Sequence, residues 1–165
     1  MARDRLKALA RRIGVRLKKR KLKLATAESC TGGWIAQAAT SVSGSTAWFD
    51  RGFVTYSDEA KQELLGVRAR TLSRHGAVSR ETAKEMAAGA LARSRAQVTI
   101  AVTGVAGPSG GTKAKPVGMV CIAWARKRGA MESVIRRFKG SRDRVRRQAV
   151  VFALQGLLER LEETE

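Results

Sequence analysis

Residues 98–102, with the sequence Val-Thr-Ile-Ala-Val, form the segment that most restricts how this chain can fold. They make a continuous, largely apolar run without a charge, which is typical of a strand that helices cover on both faces. Such strands belong to folds that place helices on the two sides of a sheet. We therefore expect an α/β fold.

Strand and helix patterns alternate along the rest of the chain. Aromatic, β-branched and alternating stretches predict strands at residues 22–28, 48–56, 117–125 and 131–138. Capping residues followed by helical spacing predict helices at residues 34–42, 57–65, 79–91 and 141–161. The last two strands are predicted to form a hairpin across residues 126–130. Together these elements predict an α/β layer fold with a mixed β-sheet.

The first 23 residues predict a basic amphipathic helix. Apolar residues recur there at roughly helical spacing in a background of arginine and lysine, namely Leu6, Leu9, Ile13, Leu17 and Leu22. The apolar stripe is expected to lie on the rest of the protein and to leave a cationic outer face. We therefore predict that residues 1–23 belong to the same domain as residues 24–165.

The whole chain is strongly basic, and its charge is unevenly distributed. Lysines and arginines number 33 against 14 aspartates and glutamates, which gives a formal net charge of +19. Residues 1–23 hold eleven of these cations and one acid, Asp4, a net charge of +10. This imbalance suits an anionic partner such as a phosphate, a nucleic acid or an acidic lipid. A solvated basic face without a ligand is the equally good alternative.

Composition excludes several kinds of site. One histidine and two cysteines are too few for a zinc site made wholly of those residues, and we expect neither a metal nor an organic cofactor. Cys30 and Cys121 allow at most one disulfide, and no hydrophobic leader follows Met1. No stretch reaches about 18 consecutive apolar residues. These features predict a reduced, cytoplasmic protein without a transmembrane helix.

The segment Glu28-Ser29-Cys30-Thr31-Gly32-Gly33 lies where the first predicted strand of the sheet gives way to a helix. A hydroxyl at this position faces the positive end of the helix dipole, beside backbone N–H groups that can hold an oxyanion. The segment is therefore a candidate for nucleophilic chemistry. The structural alternative is that Ser29 or Thr31 simply caps the helix.

A second segment begins at Tyr56, which ends the next predicted strand, and reaches Lys61 in the helix that follows. Both side chains could point to the same rim of the sheet. A partly desolvated lysine near other cations loses its proton more easily and can serve as a base for a serine. The alternative is an exposed Lys61 beside Asp58.

Residues 103–112, Thr-Gly-Val-Ala-Gly-Pro-Ser-Gly-Gly-Thr, follow the buried strand as a glycine-rich loop. Ligands of open α/β sheets collect outside the carboxyl ends of strands, where glycines let backbone amides approach a phosphate. The loop matches neither a Walker motif nor the dinucleotide fingerprint. A plain flexible connection explains the same composition equally well.

Four motifs and a closing pattern form one ordered series along the chain. The motifs are Ala-Thr-Ala-Glu-Ser-Cys-Thr-Gly-Gly at residues 25–33, Val-Thr-Tyr-Ser-Asp-Glu-Ala-Lys at 54–61, His-Gly-Ala-Val-Ser at 75–79, and the loop at 103–112 with Lys-Pro-Val-Gly at 115–118. The closing pattern is Phe138, Gly140, Arg142 and Arg146. Over residues 22–161 this series resembles the CinA C-terminal domain family.

The resemblance implies a three-layer α/β/α fold and a nicotinamide-nucleotide amidohydrolase activity, also called NMN deamidase. This activity hydrolyses the carboxamide of nicotinamide mononucleotide, a phosphorylated nucleotide, to nicotinic acid mononucleotide and ammonia. The resemblance also implies that Ser29 is the nucleophile and that Tyr56 and Lys61 assist it, with either of the two taking the serine proton. Backbone amides near Cys30 are expected to hold the oxyanion.

Further residues are expected to bind the substrate. We assign Arg142 to its phosphate, and the other predicted binding residues are Glu28, Cys30, Thr31, Gly32, Gly33, Thr103, Gly104, Gly107, Gly110 and Gly111. A homo-oligomer is also expected. The second hypothesis, which charge alone supports, is a competence-linked protein that associates with nucleic acid through non-specific charge and has no catalytic activity.

Overall fold

The structure, a computed structural model, describes residues 2–163. Met1, which begins the predicted segment 1–23, lies outside the described residues. So do residues 164 and 165, which end the predicted segment 24–165. The helices are α1 (Ala2–Lys19), α2 (Trp34–Thr40), α3 (Asp58–Leu65), α4 (Ala69–His75), α5 (Arg80–Ala92) and α6 (Arg142–Glu162), with a 3₁₀ turn at Ser45–Ala47. The strands are β1 (Leu24–Glu28), β2 (Phe49–Val54), β3 (Val98–Gly104), β4 (Met119–Arg126) and β5 (Met131–Arg137).

The five strands form one mixed sheet in the order β2-β1-β3-β4-β5. β1 lies between β2 and β3 and runs parallel to both, whereas β4 is antiparallel to β3 and to β5. In this register Glu28 stands beside Val54 of β2 and Val102 of β3. The carboxyl ends of the three parallel strands therefore meet at one edge of the sheet, and the three candidate segments follow from them.

Helices cover both faces of the sheet. On one face α1, α2 and α6 pack on the sheet and enclose a core of large side chains such as Ile13, Leu24 and Leu154. On the other face α3, α4 and α5 enclose a smaller core that includes Met86 and several alanines. The predicted three-layer α/β/α fold with a mixed sheet is confirmed.

The first helix contributes side chains to the hydrophobic core on one face of the sheet. A β-carbon at Gly14 would stand 2.7 Å from the indole ring of Trp48, so glycine lets α1 approach this closely. Leu22 lies beyond the end of α1 and is partly buried. The other residues of the predicted apolar stripe are buried, namely Leu6, Leu9, Ile13 and Leu17.

Two parts of the fold differ from what the sequence pattern predicts. β1 is buried at all five positions, including Thr26 and Glu28, although an alternating pattern is typical of a half-buried strand. The reason is that β1 lies inside the sheet and helices cover both of its faces. The pattern also fails to predict α4, because Thr71 and Leu72 are its two buried residues and leave a weak apolar period.

Close packing between α5 and the end of α3 positions the helix that carries Lys61. A β-carbon at Gly89 would stand 1.9 Å from the carbonyl oxygen of Leu65, so glycine at this position permits the contact. The guanidinium of Arg93 donates a hydrogen bond to the same carbonyl (2.9 Å). These contacts hold α3 against α5 and thereby direct Lys61 toward the edge of the sheet.

Candidate active site

A cavity of about 300 Å³ opens at the carboxyl edge of β1, β2 and β3. The structure brings together here members of all three candidate segments and the arginine that begins α6. The predicted residues that line the cavity are Ser29, Cys30, Tyr56, Lys61, Thr103, Gly104, Gly107, Gly110 and Arg142. Five other predicted residues do not line the cavity, namely Glu28, Thr31, Gly32, Gly33 and Gly111. The catalytic and substrate-binding roles of both groups stay predictions.

Ser29 directly follows β1 and is 8% exposed. Its backbone N–H donates to the carbonyl of Val102 (2.9 Å), so the residue continues the pairing of β1 with β3. The chain then turns toward α2. This turn leaves the Ser29 hydroxyl at the cavity wall, where Oγ accepts a hydrogen bond from Nζ of Lys61 (3.0 Å).

Lys61 is the fourth residue of α3, whose start is capped by the Ser57 hydroxyl. Besides Ser29 Oγ, its Nζ atom donates to the carbonyl oxygen of Thr55 (2.9 Å), which directly follows β2. The side chain thus spans the gap between two strand ends. With 1% of the residue exposed, the alternative of an exposed lysine is wrong.

The environment of Lys61 favours its neutral form. Burial lowers the pKa of Lys61 below its ordinary value, because an ammonium ion loses solvation in the protein interior. Asp58 and Cys30 oppose this shift. An amine with a lowered pKa, 3.0 Å from a hydroxyl, is able to take the proton of that hydroxyl.

Tyr56 stands at the outer rim of the cavity and is 61% exposed. Its hydroxyl accepts a hydrogen bond from Arg142 (2.9 Å), which also donates to the carbonyl of Gly107 (2.8 Å). Arg142 therefore ties the second segment to the glycine-rich loop. Among the hydrogen bonds of residues 2–163, none joins the Tyr56 hydroxyl to Ser29 or Lys61, so the lysine is the direct partner of the serine.

Glu28 supports the turn between β1 and α2 from the interior. Its carboxyl group accepts hydrogen bonds from the Thr31 hydroxyl (2.6 Å) and from the backbone N–H groups of Ile35 (2.9 Å) and Ala36 (3.2 Å). The glutamate thereby satisfies two of the open N–H groups at the start of α2. The residue at the N-cap position is Gly33, so the alternative in which a hydroxyl of this segment caps the helix is wrong.

Arg146 of α6 holds the same turn from the other side. Its guanidinium donates to the carbonyl oxygens of Cys30 (3.0 Å) and Thr31 (3.3 Å). Because a peptide unit is planar, holding these carbonyls also orients the N–H groups of the same peptides. One of them, on Gly32, donates to the carbonyl of Ser29 (3.0 Å). The turn that presents the nucleophile candidate is therefore fixed by β3, Glu28 and α6 together.

The two cysteines of the chain are free and buried. Burial raises the pKa of Cys30 to about 12, although the nearby Arg146 acts in the opposite direction. Burial likewise raises the pKa of Cys121 on β4 to about 11. Thiols with such pKa values stay protonated at neutral pH and are poor nucleophiles. Of the adjacent pair at the cavity, Ser29 has the lysine partner and Cys30 does not.

The glycine-rich loop at the end of β3 lines the cavity together with the start of α3. At its start the Thr103 hydroxyl donates to the carbonyl of Ala77 (2.8 Å), which draws the segment before α5 to the site. Ala77 and Val78 consequently line the cavity. Both belong to the His-Gly-Ala-Val-Ser motif, for which the sequence alone suggests no role.

The profile of the CinA C-terminal domain matches residues 6–161. This chain belongs to the CinA C-terminal domain family. The matched range begins inside α1 and ends near the end of α6, so it includes every strand of the sheet and every residue assigned to the cavity. The resemblance inferred from the ordered motifs is therefore confirmed.

Individual members of the family match the chain over nearly its whole length. Nicotinamide-nucleotide amidohydrolase PncC of Escherichia coli strain K12 is 52% identical over 159 residues, which cover 95% of both chains. The crystal structure of competence/damage inducible protein CihA from Agrobacterium tumefaciens gives a TM-score of 0.92 at 47% identity, covering 96% of each chain. Competence damage-inducible protein A (ComA) of Klebsiella pneumoniae subsp. pneumoniae MGH 78578 gives 0.93 at 42% identity, covering 97% of this chain and 99% of that one.

Three contributors to this CinA-family site are not assigned by the sequence analysis. Thr55 contributes a backbone oxygen, which no side-chain pattern reveals. The contact of Arg146 with the turn joins residues 116 positions apart in the sequence. Asp58, which lines the cavity, could have been found, because a residue three positions before Lys61 lies on the same side of a helix.

The charged side chains of the cavity are those of Asp58, Lys61 and Arg142. Within residues 2–163, no group of three or more His, Cys, Asp or Glu side chains is arranged so that it could hold a metal ion. Nor does this part of the chain contain a helix long and apolar enough to span a membrane.

Proposed function

We propose that this chain is a nicotinamide-nucleotide amidohydrolase, which converts nicotinamide mononucleotide and water to nicotinic acid mononucleotide and ammonia. A relative that is 52% identical carries the name of that activity. The observation in this chain that best supports the proposal is the 3.0 Å hydrogen bond between Lys61 and Ser29 inside a cavity. A serine paired with a buried lysine supplies the nucleophile and the base that amide hydrolysis requires.

Lys61 acts as the base in its neutral form. The Thr55 carbonyl holds one N–H of the amine (2.9 Å), which leaves the nitrogen lone pair available to the Ser29 hydroxyl. As Ser29 Oγ bonds to the carboxamide carbon, its proton moves to Lys61 and negative charge develops on the amide oxygen. The lowered pKa of Lys61 makes the neutral amine more abundant at neutral pH and so favours this step.

We assign the backbone N–H of Cys30 to the developing oxyanion. The N–H of Ser29 donates to Val102 and that of Gly32 donates to Ser29, so both are already engaged. The N–H of Cys30 donates to no oxygen of a described residue and contacts only the sulfur of its own side chain, and Cys30 lines the cavity. A backbone donor of this kind contributes about 10²- to 10³-fold to the rate of acyl transfer.

The tetrahedral intermediate collapses by breaking the C–N bond. Lys61 returns its proton to the departing nitrogen, ammonia leaves, and an ester between Ser29 and the nicotinic acid group remains. Water then attacks the ester carbon and gives a proton to Lys61, which passes it to Ser29 Oγ as the carboxylic acid is released. One lysine therefore serves both halves of the reaction.

Arg142 and Tyr56 are proposed to act at the mouth of the cavity. The guanidinium of Arg142 has five N–H donors, and its two hydrogen bonds to Tyr56 and Gly107 leave others to face a phosphate. Tyr56, held by Arg142 at the rim, is then placed to contact the substrate. We propose that Lys61 takes the serine proton, because Lys61 is hydrogen-bonded to Ser29 and Tyr56 is not.

Incubating the purified protein with nicotinamide mononucleotide tests the proposed function. We expect ammonia and nicotinic acid mononucleotide in equal amounts, and neither product with the Ser29→Ala variant. A wild-type protein that is folded, as judged by circular dichroism, and yet releases no ammonia would contradict the proposed function. Product formation that persists in Ser29→Ala would instead show that another group is the nucleophile.

A further inference from the structure

Asp58 contributes the one carboxyl group among the described residues that line the cavity. It is the first residue of α3, and its side chain is exposed. Within residues 2–163, none of the ion pairs and side-chain hydrogen bonds engages this carboxyl group. The cavity therefore presents a carboxyl group that no direct ion pair or side-chain hydrogen bond of the described fold engages, although its charge acts on the nearby Lys61.

The start of α3 does not explain this charge. The Ser57 hydroxyl already caps the helix by accepting from the N–H of Ala60 (3.0 Å), and Glu59 places a second acid in the same turn. Asp58 also opposes the lowered pKa of Lys61. The helix start thus has a cap and a second acid besides Asp58, and Asp58 acts against the proposed base, so we look for its role in the ligand that enters the cavity.

The cavity carries charges of both signs. Asp58 and Lys61 both belong to α3, whereas Arg142 begins α6 and is hydrogen-bonded to Tyr56 and to the glycine-rich loop. A nicotinamide nucleotide also carries charges of both signs, with a permanently positive pyridinium ring that bears the carboxamide, and a phosphate. Because Ser29 Oγ is hydrogen-bonded to Lys61 of α3, a carboxamide placed at Ser29 is expected to bring its ring to the side of the cavity that carries Lys61 and Asp58.

We propose that Asp58 is a specificity residue that favours substrates whose aromatic ring carries a positive charge. The inference rests on the proposed function and adds to it a residue that recognises the charge of the substrate's ring. Neutral aromatic carboxamides of the same shape are disfavoured, because they leave the carboxylate without a partner. For unit charges several ångströms apart in a partly hydrated cavity, the expected preference is about tenfold in affinity.

Two ligands of matched shape test this inference. Nicotinamide mononucleotide has a cationic ring, and benzamide riboside 5′-monophosphate has a neutral benzene ring with the same carboxamide and phosphate. Dissociation constants are measured by calorimetry in the Ser29→Ala protein, which does not turn the ligands over. Adding Asp58→Asn to this protein is expected to raise the dissociation constant of the cationic ligand about tenfold and that of the neutral ligand less than about twofold.

Glu59 offers the matched control, because it belongs to the same helical turn and does not line the cavity. Glu59→Gln in the Ser29→Ala protein is expected to change both dissociation constants less than about twofold. Equal weakening of both ligands by Asp58→Asn, or no weakening of either, overturns the specificity role. Failure of the parent Ser29→Ala protein to bind nicotinamide mononucleotide likewise overturns the specificity role, whereas failure of the wild-type protein to release ammonia overturns the proposed function.

Discussion

Lys61 and the cations of α1 carry the same charge in opposite environments. The outer face of α1 exposes residues such as Arg11, Lys18 and Lys19, and no described residue of this helix lines the cavity. Lys61 is 1% exposed, and its Nζ atom is held by Ser29 and Thr55. Water screens the charges on α1, whereas burial alters the protonation of Lys61. The comparison teaches that the environment of a cation, and not the number of cations, locates the chemistry of this strongly basic protein.

The largest effect is expected at the partner of the buried lysine. Ser29→Ala should lower kcat/KM for nicotinamide mononucleotide by about 10⁴-fold or more, because no other group replaces the nucleophile. Cys30→Ala should keep most of the activity, since the thiol of Cys30 has a pKa near 12 and stays protonated. Ammonia release measures both variants, and inactivation by Cys30→Ala alone would transfer the nucleophile role to the cysteine.

A direct contrast between the two environments comes from the same substitution at two lysines. Lys61→Met should lower kcat by about 10³-fold, and Lys61→Arg should not restore it, because a guanidinium does not give up its proton. Lys18→Met on the outer face of α1 should leave kcat within about twofold of the wild type. Comparable losses at Lys61 and Lys18 would remove the distinction between buried and exposed cations.

The pH dependence of the reaction should report the protonation of Lys61. The neutral amine is the active form, so kcat/KM should rise about tenfold per pH unit until the pKa of Lys61 is passed. Because burial lowers this pKa, the plateau should begin below the ordinary lysine value of 10.5. Asp58→Asn should move the profile to lower pH, since Asp58 opposes the shift, and Lys61→Met should abolish the dependence. A profile that survives in Lys61→Met would assign the base to another group.

The smallest effect on turnover is expected from the exposed charges. Changing Arg11, Lys18 and Lys19 together to glutamine should leave kcat/KM within about twofold of the wild type. Should these residues contact DNA phosphates, the slope of log binding constant against log salt becomes shallower by about three units. Removing the whole of α1 would not test the role of its exposed charges alone, because Leu6 and Ile13 lie in the core and their loss would destabilise the fold. Reduced turnover in the folded triple variant would show that α1 takes part in the site.

Sequence reasoning succeeded where a residue's role depends on its place at a strand end. Ser29 and Tyr56 follow two parallel strands and Thr103 lies near the end of a third, so their convergence at one edge could be predicted from the order of elements. The assignment of Glu28 to the substrate stays without support, because its carboxyl group faces the start of α2. A strand residue buried on both sides gives no local signal of which side chain it meets.

The alternation of strands and helices, the family and the meeting of three segments at one sheet edge all follow from the sequence by itself, because they depend on local pattern and chain order. The choice between Lys61 and Tyr56 as the direct partner of Ser29 does not. Tertiary packing decided that Lys61 lies buried 3.0 Å from Ser29 Oγ and that Arg142 reaches Tyr56 across 86 positions of the chain. Burial, and with it the pKa of a lysine, is set by residues distant in sequence that exclude water, so no local pattern contains it.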